Sequence, residues 1–213
     1  MFTLSTSMPS YCMSVEPHTL ILASTSRYRR ELLERLRIPF TVVSPEVDET
    51  PRPGETPQAL ALRLSVAKAR AVASRHPEAI VIGADQAASL DGQPLGKPGC
   101  VEAAHAQLRQ LSGQTVVFHS AMTVIAGEVI QSIDVPTICV FRTLSDAAIS
   151  RYVQIDQPLD TAGSAKAECL GIALMQSMQS TDPTSIIGLP LIALTHMLST
   201  VGLDPLDHAR LPA

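Results

Sequence analysis

Apolar and polar positions follow two alternating patterns along the chain. Thr19 to Ala23 and Ala79 to Ala84 are short apolar runs that predict buried strands, with Asp85 at the carboxyl end of the second. Phe40 to Val43 predicts another strand. Arg27 to Arg37, rich in Leu, Arg and Glu, predicts a helix that Ser24-Thr25-Ser26 starts and Pro39 stops. Thr56-Pro57 opens a second helix, with Pro tolerated in the first turn. There Leu60, Leu64, Ala67 and Ala71 form an apolar stripe at helical spacing, and His76-Pro77 closes it. Val101 to Leu111 predicts a third helix, with Gly113 just beyond its end. Thr115 to Ile125 and Glu128 to Phe141 predict two β segments joined at Ala126-Gly127. Ser145-Asp146 caps a helix to about Gln154, Gly171 to Met178 reads as a strand, and Thr184 to Val201 reads as a helix kinked at Pro190. Ser44 to Pro57, Leu90 to Gln93 and Pro158 to Gly171 read as loops and turns.

Strands alternating with helices, then a hairpin, predict an α/β fold: a mixed twisted sheet flanked by helices. Ligands in such sheets sit outside the carboxyl ends of strands. Residues 1–18 are polar and irregular and read as a flexible N-terminal extension; residues 19–203 read as a single domain and 204–213 as a C-terminal tail.

Composition narrows the function. The 213 residues carry 16 Lys+Arg against 20 Asp+Glu, so a net charge of −4 argues against a general nucleic-acid or polybasic membrane binder. The cysteines at 12, 100, 139 and 169 share no metal-binding or redox spacing. The first 20 residues hold no Lys or Arg and no long apolar run. No secretory signal is read there, and the expected location is the cytoplasm. The longest apolar stretch, Ile186 to Leu194, contains Gly188 and Pro190 and is too short to span a bilayer.

Several segments can carry chemistry. Ser24 to Arg30 puts three hydroxyls and three guanidiniums at a strand-to-helix junction, either a phosphate cradle or an N-cap followed by a solvated helix face. Asp85 is a metal ligand or general base, or a cap ending its strand. Asp48-Glu49 is either functional or a pair of solvated loop acids. Lys68 borders the apolar stripe of its helix, where a snorkelling surface lysine is the plain alternative. Gly96-Lys97-Pro98 is not a P-loop, because Pro98 stands where a hydroxyl should meet the metal. No GxGxxG or GxSxG occurs in the chain. Together, a cationic set (Arg29, Arg30, Lys68, Lys97) and an acidic set (Glu49, Asp85) suit metal-assisted attack of water on phosphorus.

These segments resemble one family. Leu20-Ile21-Leu22-Ala23-Ser24-Thr25-Ser26, Arg29-Arg30, Val47-Asp48-Glu49-Thr50, Ala67-Lys68-Ala69, Gly83-Ala84-Asp85-Gln86, Gly96-Lys97-Pro98, Ala162-Gly163-Ser164 and Ile187-Gly188-Leu189-Pro190-Leu191 occur in the order seen in Maf proteins. These are nucleoside triphosphate pyrophosphatases, some linked to cell-division arrest. The resemblance implies an α/β, Maf/ITPase-like fold with a deep central cleft, and cleavage of a nucleotide to its monophosphate and pyrophosphate. It implies Asp85 as proton acceptor and Ser24, Arg29, Arg30, Lys68 and Lys97 around the triphosphate. It also implies a divalent cation, Mg2+ or Mn2+, at Glu49 and Asp85, and it allows a homodimer. Tyr28, Gln86 and Glu168 are similar to the branch that hydrolyses 7-methyl-GTP. The dTTP/UTP branch and a non-catalytic nucleotide-binding regulator of division are the alternatives. Tyr28 stands where that branch more often has Trp, and Ala165, Ala167, Cys169 and Leu170 also depart from its pattern.

Overall fold

A computed structural model describes residues 19–211, so the expected N-terminal extension lies outside the described residues. Among the described residues, seven strands form one mixed sheet: β1 (Leu20–Ala23), β2 (Phe40–Val43), β3 (Ile80–Leu90), β4 (Gln93–Leu95), β5 (Thr115–Ala126), β6 (Val129–Phe141) and β7 (Met175–Gln179), ordered β2-β1-β3-β5-β6-β7 with β4 beside β3. β1 pairs in parallel with β2 and β3, whereas β5, β6 and β7 add on antiparallel. Among the same residues six α-helices accompany the sheet: α1 (Arg27–Glu34), α2 (Pro57–Ala73), α3 (Val101–Leu111), α4 (Asp146–Asp156), α5 (Leu191–Thr200) and α6 (Pro205–His208). Among the described residues, no helix is long and apolar enough to cross a membrane.

Alternation along the strands feeds different cores. Leu20 and Leu22 pack with Ile80, Ile82, Leu32, Leu194 and Leu198, while Ile21 and Ala23 pack with Ala69, Val72 and Val81 beneath α2. A further core gathers Phe118, Phe141, Leu108, Ile149 and Tyr152 between α3, α4 and the far half of the sheet. Full burial of β1 on both faces explains its unbroken apolar run.

Five expectations change. Asp85 does not end its strand: β3 runs on to Leu90 because β5 pairs with it along its whole length. The neighbour ends instead. β1 stops at Ala23, opposite Gly83, and β4 rejoins β3 only at Ala88, so residues 84–87 have no strand on that side. Asp85 thus sits level with the carboxyl end of β1.

The buried face of α2 also differs from the expected stripe. Of Leu60, Leu64, Ala67 and Ala71 only Leu64 is buried; the inward face is Ala61, Leu64, Ser65, Lys68, Ala69 and Val72. The helix lies hard against β3, since a Cβ added at Gly83 would stand 2.3 Å from the Ser65 carbonyl oxygen and 2.5 Å from the Ala69 nitrogen. That closeness rotates the small residues inward. Residues 184–201 are not one kinked helix: a 3-10 turn (Ser185–Ile187) and Gly188 at φ 108° precede Pro190, which is the N-cap of α5. In the predicted 171–178 strand, a 3-10 turn (Leu170–Leu174) comes first and β7 follows it. Within the expected tail, α6 forms, and the Arg210 N–H donates to the Arg37 carbonyl at 2.9 Å.

Candidate active site

The break in the sheet opens into a cleft of about 780 Å³. Its walls come from the β1–α1 junction, the loop before α2, the middle of β3, the segment after β4, and residues 160–168. At its centre Lys68 Nζ lies 2.7 Å from Asp85 Oδ1 and 2.7 Å from Glu49 Oε1. The lysine and Asp85 side chains are only 7% and 11% exposed, whereas Glu49 is 57% exposed. One ammonium thus gathers a carboxylate from the sheet and another from the proline-rich loop. Asp85 Oδ2 takes no hydrogen bond from the described residues, which leaves that oxygen for a ligand or water.

Ser24 follows β1, is buried, and accepts from the Ser26 N–H at 3.1 Å and from Arg29 Nη1 at 3.4 Å. Ser26 caps α1 by accepting from the Arg29 N–H. Arg29 also donates from Nε to the Gly188 carbonyl at 3.0 Å, which joins α1 to the loop before α5. Burial lowers the Arg29 pKa, and Asp85 and Glu49 oppose that shift. Burial would raise Glu49, but the hydrogen bond and charge of Lys68, with Lys97 and Arg29 behind, hold it below the usual carboxylate range. Lys97 is exposed on the opposite lip.

Arg30 does not join this set. It is exposed, pairs with Glu34 at 3.0 Å, and lines a separate groove with Arg37 and Arg210. Arg30 lies on the face of α1 turned away from the cleft, where Glu34 sits one helical turn further on.

At the outer end, Tyr28 has the Arg27 guanidinium 5.2 Å and Lys166 Nζ 6.0 Å from its ring centre. Lys166 is held by Asp160 at 3.1 Å; burial opposes its charge, but Asp160 and Tyr28 outweigh it and raise its pKa. Glu168 lies exposed on the same wall, and the protein around it raises its pKa. Gln86 follows Asp85 on β3 but turns to the opposite sheet face, where its Nε2 donates to Ser120 Oγ and to the Ser185 and Ile186 carbonyls.

A profile of the Maf-like protein family matches residues 19–201. The chain belongs to the Maf family. It is 65% identical over 194 residues, 91% of its length and 98% of the relative's, to a Bordetella pertussis protein named 7-methyl-GTP pyrophosphatase. A Thiobacillus denitrificans protein of the same name is 57% identical, with 88% of this chain and 94% of that one covered. Among solved structures, the Staphylococcus aureus Ham1 protein overlaps with a TM-score of 0.43 at 14% identity, over 59% of this chain and 72% of that one.

In this Maf protein the cleft therefore holds Ser24, Tyr28, Arg29, Glu49, Lys68, Asp85, Gln86, Lys97 and Glu168, with Arg30 outside. Sequence reasoning missed Lys166 and Asp160, whose signal was a charged pair flanking the small-residue segment Ala162–Ala165. It also missed Arg63, which grips Glu55 through Nε at 2.6 Å and Nη2 at 2.8 Å and donates to the Thr50 carbonyl at 3.1 Å. That staple fixes the loop carrying Glu49.

Proposed function

We propose that this chain is a hydrolase of the cytoplasm that cleaves 7-methyl-GTP to its monophosphate and pyrophosphate, clearing a modified nucleotide. The observation that carries this reading is the Asp85–Lys68–Glu49 cluster beside Arg29, in a cleft large enough for a nucleotide. The names of the 57–65% identical relatives support the same substrate.

Lys68 keeps Asp85 Oδ1 engaged, so Oδ2 is the atom that takes a proton from water. The water oxygen forms a bond to the α-phosphorus as the bond from that phosphorus to the bridging oxygen of pyrophosphate breaks. Ser24 and Arg29 meet phosphate oxygens at the start of α1, where free N–H groups add to the positive field. Lys97 closes on the polyphosphate from the other lip.

Glu49 and Asp85 also suit a divalent ion. Both already flank one cation, and Mg2+ uses one or two carboxylates and takes its other ligands from water and substrate phosphates. Among the described residues no group of three His, Cys, Asp or Glu gathers, which fits an ion that arrives with the nucleotide better than a resident cage. Bound at Glu49 and Asp85, Mg2+ or Mn2+ would neutralise charge on the phosphate oxygens.

For the base, Tyr28 offers an aromatic face to the positively charged methylated ring, about 0.5–2 kcal/mol depending on desolvation. Glu168 offers a carboxylate to its N–H edge. A screen of 7-methyl-GTP, GTP, dTTP and UTP with product identification tests the reading. The expected result is 7-methyl-GTP turned over fastest, with monophosphate and pyrophosphate as products. Faster dTTP or UTP would favour the other branch. No pyrophosphate from any nucleotide would favour the non-catalytic regulator.

A further inference from the structure

Lys97 stands on a segment with no regular structure of its own. β4 ends at Leu95 and α3 begins at Val101, and residues 96–99 between them are neither helix nor strand. Among the described residues, two hydrogen bonds tie this segment to the rest of the chain. The Gly99 N–H donates to the Leu159 carbonyl at 3.0 Å, and Gln107 Nε2 donates to the Gly96 carbonyl at 3.1 Å. Gly96 brings no side chain to the task, and Pro98 restricts the backbone of Lys97 only from one side.

Gln107 is well placed to act as a fixed post. It lies on α3 next to the buried residues Ala104, Leu108 and Leu111, which pack into the core around Phe118. Its Oε1 accepts from the Ser164 hydroxyl. Ser164 is fully buried and closes the 3-10 turn Ala162–Ser164, with Gly163 at φ 73° and Ser164 itself at φ 51°. A residue with a Cβ rarely adopts that left-handed conformation. Here the turn is pressed against the core, since a Cβ added at Gly163 would stand 3.1 Å from Phe118 Cζ. The amide's direction follows from Gly96, because a carbonyl can only accept and so must face the NH2 end. One carboxamide therefore joins the segment of Lys97 to the turn that opens the wall of Lys166 and Glu168.

We infer that Gln107 is a positioning residue for the hydrolysis: it touches no substrate, and it sets where Lys97 stands relative to the wall formed by residues 160–168. The inference rests on the nucleotide reading above, in which Lys97 closes on the polyphosphate. An irregular segment that had to be ordered during binding would take its entropy from the affinity. The tie to a packed helix orders it beforehand, at a fixed distance from the wall that meets the base.

The test is a double-mutant cycle with a second, activity-free measurement. Gln107→Met keeps the stem on α3 and loses both bonds. Its kcat/KM for the hydrolysed nucleotide is expected to fall about tenfold, mainly through KM. In a Lys97→Met background the same substitution is expected to cost less than about twofold. Gln107→Glu keeps the shape but turns a carboxylate toward the Gly96 carbonyl, and it is expected to lose at least as much. Where Gln107→Met does not fold, Gln107→Glu carries the same comparison. A merely structural role would give the same loss with and without Lys97, and that result would overturn the inference, as would wild-type rates in Gln107→Glu. Hydrogen exchange without nucleotide reads the tie itself. In Gln107→Met the amides of residues 96–99 are expected to exchange about tenfold faster while the buried turns of α3 keep their rates. Unchanged exchange at 96–99 would overturn the tie whatever the protein hydrolyses. If the wild type releases no pyrophosphate from any nucleotide while that exchange rises as expected, the hydrolase reading fails and the tie stands.

Discussion

Lys68 shows how one side chain can tie the chemistry to the fold. Its stem runs through the inner face of α2, and its ammonium is the counter-charge of a nearly buried aspartate. Removing one partner of such a pair leaves the other desolvated and unpaired, at a cost of about 3 kcal/mol. Lys68→Met is therefore expected to lower thermal stability measurably and to cut kcat/KM about a hundredfold or more, checked by calorimetry and steady-state assay. From its residues alone, Lys68 read first as a snorkelling surface lysine, because the apolar stripe was set one position away from the face that β3 selects. Arg30 misled in the opposite sense: a run of adjacent arginines does not show which of them the helix turns inward. Cys139 is different again. It is fully buried, and burial pushes its thiol up to about 12, so it is expected to stay unlabelled by iodoacetamide at pH 8 while exposed Cys100 and Cys169 react.

Among the elements, two contacts hold the cleft in shape. The first is α2 against β3 at Gly83. Gly83→Ala must push the helix outward, since the new methyl meets backbone on both Ser65 and Ala69. A cost of about 1–3 kcal/mol is expected, with a loss of kcat as Lys68 moves from Asp85; chemical denaturation and kinetics on the same preparation check both. The second is the Arg63–Glu55 staple on the loop of Glu49. Its hydrogen bonds with Arg63 hold Glu55 down to about 2 from an ordinary 4.5. A depressed acid contributes above the unfolded value and fades as pH falls, here between about 4.5 and about 2. Hydrogen exchange is expected to show residues 44–56 losing protection across that window in the wild type. In Arg63→Met they are expected to be unprotected already at pH 7. The order of strands and helices was legible because each has its own periodicity and cap. The staple was not, because a loop acid and a helix arginine eight residues apart carry no local pattern. The length of β3 was hidden too: a charged residue normally ends an apolar strand, but here pairing with β5 carries the strand on to Leu90 and Lys68 supplies the counter-charge for Asp85.

At the scale of the whole molecule, the site exists because the sheet is incomplete. β1 ends and β4 joins late, so four residues of a long central strand face a cleft, and groups from distant parts of the chain converge there. The sequence motifs are the pieces of chain that line this gap, which is why their spacing fits no single local motif. The central claim is that Asp85 accepts the proton of the attacking water. Asp85→Asn keeps the size and burial of that side chain and removes its basicity. Turnover of 7-methyl-GTP by this variant is to be measured beside nucleotide binding. The expected result is a fall in kcat of about 10²–10⁴-fold with binding retained. Turnover within a few fold of the wild type, on correctly folded protein, would contradict it.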